Sequence, residues 1–586
     1  MKSFLKIFLA TLVALIVFGI GIFFALSIII SNATSPGKTN IGSNGVLVLD
    51  LNQSFKEQQQ SDVLNSIFDN PSSDIPGLYD VVRMIHYAKS DSSIKGIYIK
   101  ANDNENGFAS SEELRQALVD FKKSNKFIIA YGNVVSEQAY YISTVADKIY
   151  CNPAGGVEWD GFSVNLLFMK GLLDKLEIDP QIFYAGKFKS ATEPLRVSQM
   201  TDANRLQTTV WLNDLYNNLL LRTSAARNID TATLHQLANT GAIQTANDAL
   251  KYGLVDGLKY DDEVKNELLK RLHKSEKDEI NWVSFGKYAK AADFHRNGDD
   301  GKIDIIYAQG DIVDGKGDKD EIGSDSYVKL IRKARLDDDV KAIVFRVNSP
   351  GGSSMASEAI WREVMLAKQK KPVIVSMGDY AASGGYYISC AADSIFADET
   401  TITGSIGVFS ILPDMQKFFN DKLGITFDGV KTAPYADMGS VSRPLTQPEK
   451  NFIQASVDTI YNKFKTRVAN GRKKDIIYID SIAQGRVWTG KRGIGVGIVD
   501  RTGTLQDAVN CAARMAKISD YRTREYPEQK TWLEELTSQS FSAQSNQKAL
   551  TKEIGVDQYN LLQEVKQLKQ ISGIPQSRLP FTIGFH

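Results

Sequence analysis

The chain has 586 residues, enough for roughly two to four domains, and its 69 basic and 69 acidic residues give a formal net charge of zero. This balance argues against a chain built mainly to bind nucleic acid. Three cysteines and five histidines, widely scattered, predict neither a disulfide framework nor a structural metal site.

The first predicted element is an apolar stretch near the N-terminus. Residues 7–30 contain no charged side chain, and a helix of that length spans the hydrocarbon core of a bilayer. Lys2 and Lys6 precede the stretch and no Lys or Arg follows before Lys38, so residues 1–40 are predicted to form a cytoplasmic stub and a membrane anchor. A cleavable signal peptide is the alternative, but it has a shorter apolar region and a small-residue cleavage site.

An internal repeat organises the rest of the chain. The tetrapeptide YYIS stands at 140–143 and again at 386–389, and in the same register Asn102 falls on Asn348. The polar stretch HRNGDDGK is typical of a linker between the two copies. The predicted units are a first repeat over residues 45–294, a second repeat over residues 300–520 and a helical tail over residues 521–586.

Each repeat alternates predicted strands with predicted helices. Apolar, β-rich runs such as IKGIYIKAN and VKAIVFRVNS are followed by stretches with helical spacing, such as SSEELRQALVDFKKS. This alternation predicts α/β layers around a largely parallel sheet. In such folds, functional groups gather at the carboxyl ends of strands and at helix N-termini.

The two repeats differ where a helix follows a predicted strand. Ser383 opens the stretch SGGYYIS, whereas the first repeat has Glu137 in that position. The free N–H groups of a helix N-terminus favour a developing oxyanion. An ordinary capping serine is the alternative, but the first repeat begins a similar helix without one. Ser383 is therefore a candidate nucleophile.

A second difference lies in the turn NSPGGS. The counterpart in the first repeat, NDNENG, keeps the asparagine and lacks Pro-Gly-Gly. Gly351 and Gly352 follow a predicted buried strand, so their N–H groups are candidates for stabilising an oxyanion. An ordinary turn is the alternative.

A nucleophilic serine needs a base, and none of the five histidines lies near the end of a predicted strand. Lysine acts as a base when burial lowers its pKa. Lys187 and Lys189 lie in the apolar stretch FYAGKFKSATEPL, and the repeat alignment places Lys189 opposite Ala436. The first repeat therefore has a lysine where the second has none, although a solvated surface lysine remains the alternative.

The motifs AASGGYYIS, NSPGG, TGSIGV and KFKSATEPL together resemble the signal peptide peptidase A (protease IV) family, in its long, duplicated, membrane-anchored form. The resemblance implies a tandem of two ClpP/crotonase-like α/β domains after one transmembrane helix. It also implies a serine protease with a Ser/Lys dyad that needs no metal or other cofactor. The implied site residues are Ser383 as nucleophile, Lys189 as general base, Ser405 as the hydroxyl that orients the lysine, and Gly384, Gly351 and Gly352 at the oxyanion hole.

The same resemblance implies substrates, assembly and location. The expected substrates are cleaved signal peptides and similar apolar segments, and the expected assembly is a homotetramer. The expected location is the bacterial cytoplasmic membrane, with the catalytic part on the periplasmic side, lipid contacts through the N-terminal helix, and no nucleic-acid partner.

The sequence also admits two other interpretations. An acyl-CoA enzyme of the crotonase type explains the oxyanion turn but not the division of serine and lysine between two repeats. A membrane-anchored scaffold with a vestigial site predicts loss of Ser383 or Lys189, and both are present.

Overall fold

The computed structural model describes residues 40–59, 75–295, 298–528, 573 and 575–579, with a few isolated positions near the N-terminus. Apart from those isolated positions, the predicted membrane anchor lies outside the described residues, as does most of the predicted helical tail. Among the residues that are described, no helix has both the length and the apolar character needed to cross a membrane.

The first repeat is built on a six-stranded sheet in which every pairing is parallel, with the order β6-β4-β3-β2-β1-β7. Its strands are β1 Gly45–Asp50, β2 Ile94–Lys100, β3 Phe127–Val135, β4 Lys148–Val157, β5 Asp179–Ala185, β6 Gly257–Leu258 and β7 Asn281–Ser284, of which β5 leaves this sheet. Its helices are α1 Leu78–Ala88, α2 Phe108–Lys122, α3 Glu137–Ser143, α4 Lys170–Lys175, α5 Glu193–Arg196, α6 Asp202–Arg227, α7 Thr231–Asn239, α8 Ala246–Lys251, α9 Asp261–Arg271 and α10 Phe285–Ala289.

The second repeat has the same central order, β18-β14-β13-β11-β8-β19, again with parallel pairings. Its strands are β8 Lys302–Gln309, β9 Asp311–Val313, β10 Glu321–Gly323, β11 Val340–Ser349, β12 Gly351–Ser353, β13 Val373–Ala382, β14 Ser394–Ala397, β15 Ile402–Gly404, β16 Val408–Asp414, β17 Val487–Thr489, β18 Arg501–Thr502, β19 Arg522–Tyr526 and β20 Gln576–Arg578. Its helices are α11 Ser324–Leu336, α12 Ser354–Lys368, α13 Gly384–Ser389, α14 Gln447–Arg472, α15 Ile476–Ile482, α16 Gly490–Gly495 and α17 Leu505–Ala516.

The shared strand order extends the second repeat past residue 520. β19 lies within the predicted helical tail, but it pairs in parallel with β8 just as β7 pairs with β1. Tyr526 at its end is buried in the core of the second repeat, which favours a strand at this position. The tail is therefore not helical at its beginning, because the sheet edge offers residues 522–526 hydrogen-bond partners that the sequence pattern does not reveal.

Each repeat has its own apolar core. The central strands are nearly continuous apolar runs because both faces of the sheet are covered. Arg346 interrupts one such run in β11 and is fully buried. Its guanidinium lies 2.8 Å from a carboxylate oxygen of Glu57 and 2.7 Å from one of Glu113, and both carboxylates belong to the first repeat. This buried ion cluster joins the two repeats.

A third sheet also joins the repeats, with the order β10-β9-β12-β20-β16-β5. In it, β5 of the first repeat runs antiparallel to β16 of the second, from Ala185 opposite Val408 to Asp179 opposite Asp414. The chain leaves β5 directly into the stretch that carries Lys189, so this pairing delivers the lysine to the second repeat.

Candidate active site

Ser383 lies on a sharp turn between β13 and α13. It is fully buried, and its backbone has φ 55° and ψ −112°, a conformation that L residues rarely adopt. Its N–H donates a 2.8 Å hydrogen bond to the carbonyl of Gly404, which holds the turn against β15. Such strained residues concentrate at functional sites, because the surrounding structure must stabilise them.

Lys189 approaches Ser383 from the other repeat. It lies just before a short 3₁₀ turn, Ser190–Thr192, and is fully buried. Its Nζ is 2.9 Å from Ser383 Oγ and 3.1 Å from Ser405 Oγ, both within hydrogen-bond distance. The structure therefore brings together the three side chains that the motifs singled out.

Burial sets the protonation of this lysine. The loss of solvation lowers the pKa of Lys189 from its usual 10.5 to about 7, because a charged amine is disfavoured away from water. A neutral amine at this position has a free lone pair, and at 2.9 Å from Ser383 Oγ it can take the hydroxyl proton. Lys187, two residues earlier, is exposed and points its amine toward the ring of Phe188.

The stretch that carries Lys189 is held by both repeats. Phe188 N–H donates a 2.7 Å hydrogen bond to the carbonyl of Gln484 in the second repeat. On the other side, the buried amide of Gln207 in α6 donates to Phe188 O at 3.0 Å and to Ser190 Oγ at 2.9 Å, and its oxygen accepts from Val487 N–H at 3.2 Å.

Gln207 was missed by sequence reasoning. It stands in a long helix whose pattern carries no chemical signal, and only the fold shows that its amide bridges the lysine stretch and β17.

The glycine-rich turn lies beside the helix N-terminus that follows Ser383. Gly351 has φ 108°, and a Cβ placed on it would lie 2.8 Å from the backbone nitrogen of Gly384. The N–H of Gly351 donates to Ser349 Oγ at 3.2 Å, whereas Gly352 lies one residue farther along β12. The turn and Gly384 are thus adjacent, as an oxyanion hole requires, and the Gly351 N–H is already engaged.

The first repeat has a different chemistry at the equivalent turn. Glu137 is the first residue of α3, and its carboxylate accepts the N–H of Gly161 at 3.0 Å. Burial raises the pKa of Glu137 to about 7. Ala436, the counterpart of Lys189 in the alignment, is exposed in the second repeat. Both repeats share one backbone scaffold, whereas the candidate site takes its serine from the second repeat and its lysine from the first.

Other candidate groups lie away from this arrangement. His86 is on the surface beside Asp120, with 3.1 Å between Nδ1 and Oδ2. Across the described ranges, no group of three or more His, Cys, Asp or Glu side chains is arranged to hold a metal ion.

A buried serine on a strained turn, in contact with a buried lysine of low pKa, is the arrangement of a hydrolase that uses serine as nucleophile. The family model for peptidase family S49 matches the chain twice, over residues 120–275 and 365–519. The chain belongs to this family and is a serine protease. The double match also confirms the internal repeat.

Similar proteins extend over most of the chain. It is 38% identical to Protease 4 of Salmonella typhi, over 78% of this chain and 75% of the relative, and 35% identical to Protease 4 of Haemophilus influenzae, over 84% and 83%. The chloroplastic serine protease SPPA of Arabidopsis thaliana is 32% identical, over 78% of this chain and 68% of the relative. These similarities confirm the resemblance to signal peptide peptidase A and favour peptide hydrolysis over acyl-CoA chemistry.

The solved structures do not test the fold assignment further. A mutant of ClpP1 from Listeria monocytogenes aligns with 35% of this chain and 94% of its own at 15% identity, with a TM-score of 0.23. A likeness this low carries no argument, so the ClpP/crotonase-like assignment rests on the sequence motifs.

Proposed function

We propose that the chain is a membrane-anchored endopeptidase with a Ser/Lys dyad drawn from both repeats. The observation that supports it is the contact of Lys189 Nζ with Ser383 Oγ at 2.9 Å and with Ser405 Oγ at 3.1 Å. Ser383 is the nucleophile, Lys189 is the general base, and Ser405 holds the amine in place.

The chemistry follows from these roles. Neutral Lys189 takes the hydroxyl proton as Ser383 Oγ bonds to a peptide carbonyl carbon. The N–H of Gly384 and those of the adjacent turn at Gly351 and Gly352 stabilise the oxyanion, the Gly351 N–H leaving Ser349 Oγ as it does so. The lysine then gives the proton to the leaving amine as the C–N bond breaks, which leaves an acyl-enzyme. Water, deprotonated by the same lysine, releases the acyl group and restores the serine.

The substrates in this proposal are cleaved signal peptides and similar apolar segments at the outer face of the cytoplasmic membrane. The supports are the family, the apolar residues 7–30 with Lys2 and Lys6 before them, and the motifs shared with signal peptide peptidase A. The same resemblance supports a homotetramer, which sedimentation of the detergent-solubilised chain tests directly.

The central experiment compares the full chain with Ser383→Ala and Lys189→Ala on a fluorogenic peptide of signal-peptide-like sequence. Both variants are expected to lose at least about a hundred-fold in kcat, because the nucleophile and its base act as one unit. Lys187→Ala is the matched control, since that amine is exposed. Full activity in Lys189→Ala would refute the dyad.

A further inference from the structure

A cavity of about 590 Å³ lies in the second repeat, where β14, β18 and α17 meet. Neither member of the serine–lysine pair lines it, so it is separate from the candidate active site. It is called the arginine cavity below, and the charged and thiol side chains of its lining are Asp393, Asp500, Arg501, Cys511 and Arg514.

Both carboxylates of the arginine cavity already have other partners. Asp500 pairs with Arg472 and accepts the N–H of Ile395 at 2.8 Å. Asp393 Oδ1 lies 3.4 Å from Lys368 Nζ. Each carboxylate therefore has a cation of its own from outside the cavity lining, and neither neutralises the two arginines.

The guanidinium groups of Arg501 and Arg514 have no acidic partner. Among the residues that the structure describes, neither group forms an ion pair or donates a hydrogen bond to the protein. Arg501 only lies over the ring of Phe396, with its Cζ 6.0 Å from the ring centroid. Two positive charges therefore line one cavity without a compensating anion.

The first repeat shows what occupies the equivalent position there. In both repeats a two-residue strand, β6 or β18, leads into a helix that begins with a capping box, α9 or α17. The capping residues are Tyr260 and Thr504. The seventh residue after each cap is Glu267 in the first repeat and Cys511 in the second.

Glu267 supplies an internal anion to the first repeat. Its carboxylate pairs with Lys259, and its Oε1 lies 2.9 Å from Nη2 of Arg271. In the second repeat, Cys511 offers a weak thiol donor in place of a carboxylate. The second repeat therefore has two cations at this place and lacks the anion that the first repeat carries in its own sequence.

We propose that the arginine cavity binds a phosphate group, held by Arg501 and Arg514 in the place that Glu267 fills in the first repeat. A guanidinium matches two phosphate oxygens with parallel hydrogen bonds. A phosphate monoester carries about −1.5 to −2 charges at pH 7, which balances two arginines. The volume of about 590 Å³ is typical of a small-molecule site, so there is also room for the group that carries the phosphate.

This inference goes beyond the proposed function and does not depend on the peptidase chemistry. A soluble phosphate compound and the headgroup of a phospholipid would present the same chemistry to the two arginines. Two probes distinguish these sources. Inorganic phosphate represents the soluble source, and glycerophosphoglycerol, a phosphodiester, represents a lipid headgroup.

Isothermal titration calorimetry of the detergent-solubilised full chain, in phosphate-free buffer of fixed ionic strength, measures the affinity for each probe. The probe that binds more tightly identifies the source. Arg501→Gln and Arg514→Gln are each expected to weaken binding at least about ten-fold, because each removes one charge and one bidentate contact. Cys511→Glu, which restores the carboxylate of the first repeat, is expected to weaken binding as much.

Arg332→Gln is the matched control, because Arg332 is likewise an exposed helical arginine, in α11 and outside the cavity. It is expected to bind both probes as the parent does. Thermal unfolding without phosphate checks that each variant is folded, and the two variants of exposed arginines decide the question if Cys511→Glu is not. The proposal is overturned if the parent binds neither probe, or if both arginine variants bind as tightly as the parent.

Discussion

The amine of Lys189 and the hydroxyl of Ser383 lie 2.9 Å apart, although 194 positions separate them in the chain and each belongs to a different repeat. The antiparallel pairing of β5 with β16 makes this contact possible, because Ala185 stands opposite Val408 only a few residues before the lysine. Neither repeat contains both groups. A change in how the two repeats pack is therefore expected to change the distance between the amine and the hydroxyl.

Activity is expected to rise as pH is raised through about 7. Burial lowers the pKa of Lys189 to about 7, and in the proposed mechanism only the neutral amine accepts the proton of Ser383. The measurement is kcat/KM for a peptide without ionisable side chains, between about pH 5 and about pH 9. A profile that is flat through this range would contradict the role of the lysine.

Lys189→Met is expected to stabilise the fold, and more so at about pH 7 than at about pH 10. The folded pKa of about 7 lies below the unfolded value of 10.5, so between them the unfolded chain binds a proton that the folded chain does not. The stability contributed by this lysine therefore falls as pH drops from 10.5 to 7, and stays low below that. Methionine removes this penalty while filling a similar volume.

Urea unfolding at the two pH values measures the difference. Lys187→Met is the control, since that side chain is exposed and its replacement is expected to leave the free energy of unfolding nearly unchanged. A Lys189→Met variant that is less stable than the parent at both pH values would show that the amine is not held neutral by burial.

Ser405→Ala is expected to lower kcat at least about ten-fold while leaving KM nearly unchanged. Its hydroxyl lies 3.1 Å from Lys189 Nζ, and without it the amine is less firmly directed at Ser383. Ser389→Ala is the matched control, because that buried hydroxyl donates to Gly385 O instead. Equal losses in the two variants would point to a general packing defect.

Gln207→Leu is expected to lower kcat about ten- to a hundred-fold, because its amide holds the Phe188 carbonyl and the Ser190 hydroxyl on either side of Lys189. The apparent pKa of the rising limb is expected to move toward that of free lysine as the amine gains solvent. Gln181→Leu is the control: Gln181 is also buried and also joins the repeats, but its oxygen accepts the N–H of Leu445 rather than holding the residues beside Lys189. If Gln207→Leu leaves the pH profile of activity unchanged and both variants lose similar stability, Gln207 contributes only to packing.

Arg346→Met is expected to lower the free energy of unfolding by about 3–5 kcal/mol, because it leaves two buried carboxylates without their cation. The carboxylates are those of Glu57 and Glu113 in the other repeat. Replacing all three residues with apolar ones is expected to recover most of this loss. Urea unfolding of the parent, of Arg346→Met and of the triple variant measures these differences. An Arg346→Met variant as stable as the parent would contradict the prediction.

The sequence by itself determined the repeat, the alternating α/β layers and the candidate residues at Ser383, Lys189 and Ser405. Strand and helix periodicity indicates the layers, and residues that differ between the two copies indicate Ser383 and Lys189. Ser405 is implied by the resemblance of the motif TGSIGV to the signal peptide peptidase A family. Comparison of the copies predicted that serine and lysine are divided between the repeats, and the fold brings those side chains into contact.

Tertiary structure alone decided how the two repeats are joined and what surrounds the site. An arginine inside an apolar strand gives no hint that its partners stand in the other repeat, 289 positions away in the case of Glu57. The contacts of Gln207, the edge strand β19 and the pairing of β20 with β12 and β16 were likewise not predictable. Their roles depend on hydrogen-bond partners and apolar pockets that long-range packing creates, and local sequence pattern does not encode which distant groups will meet.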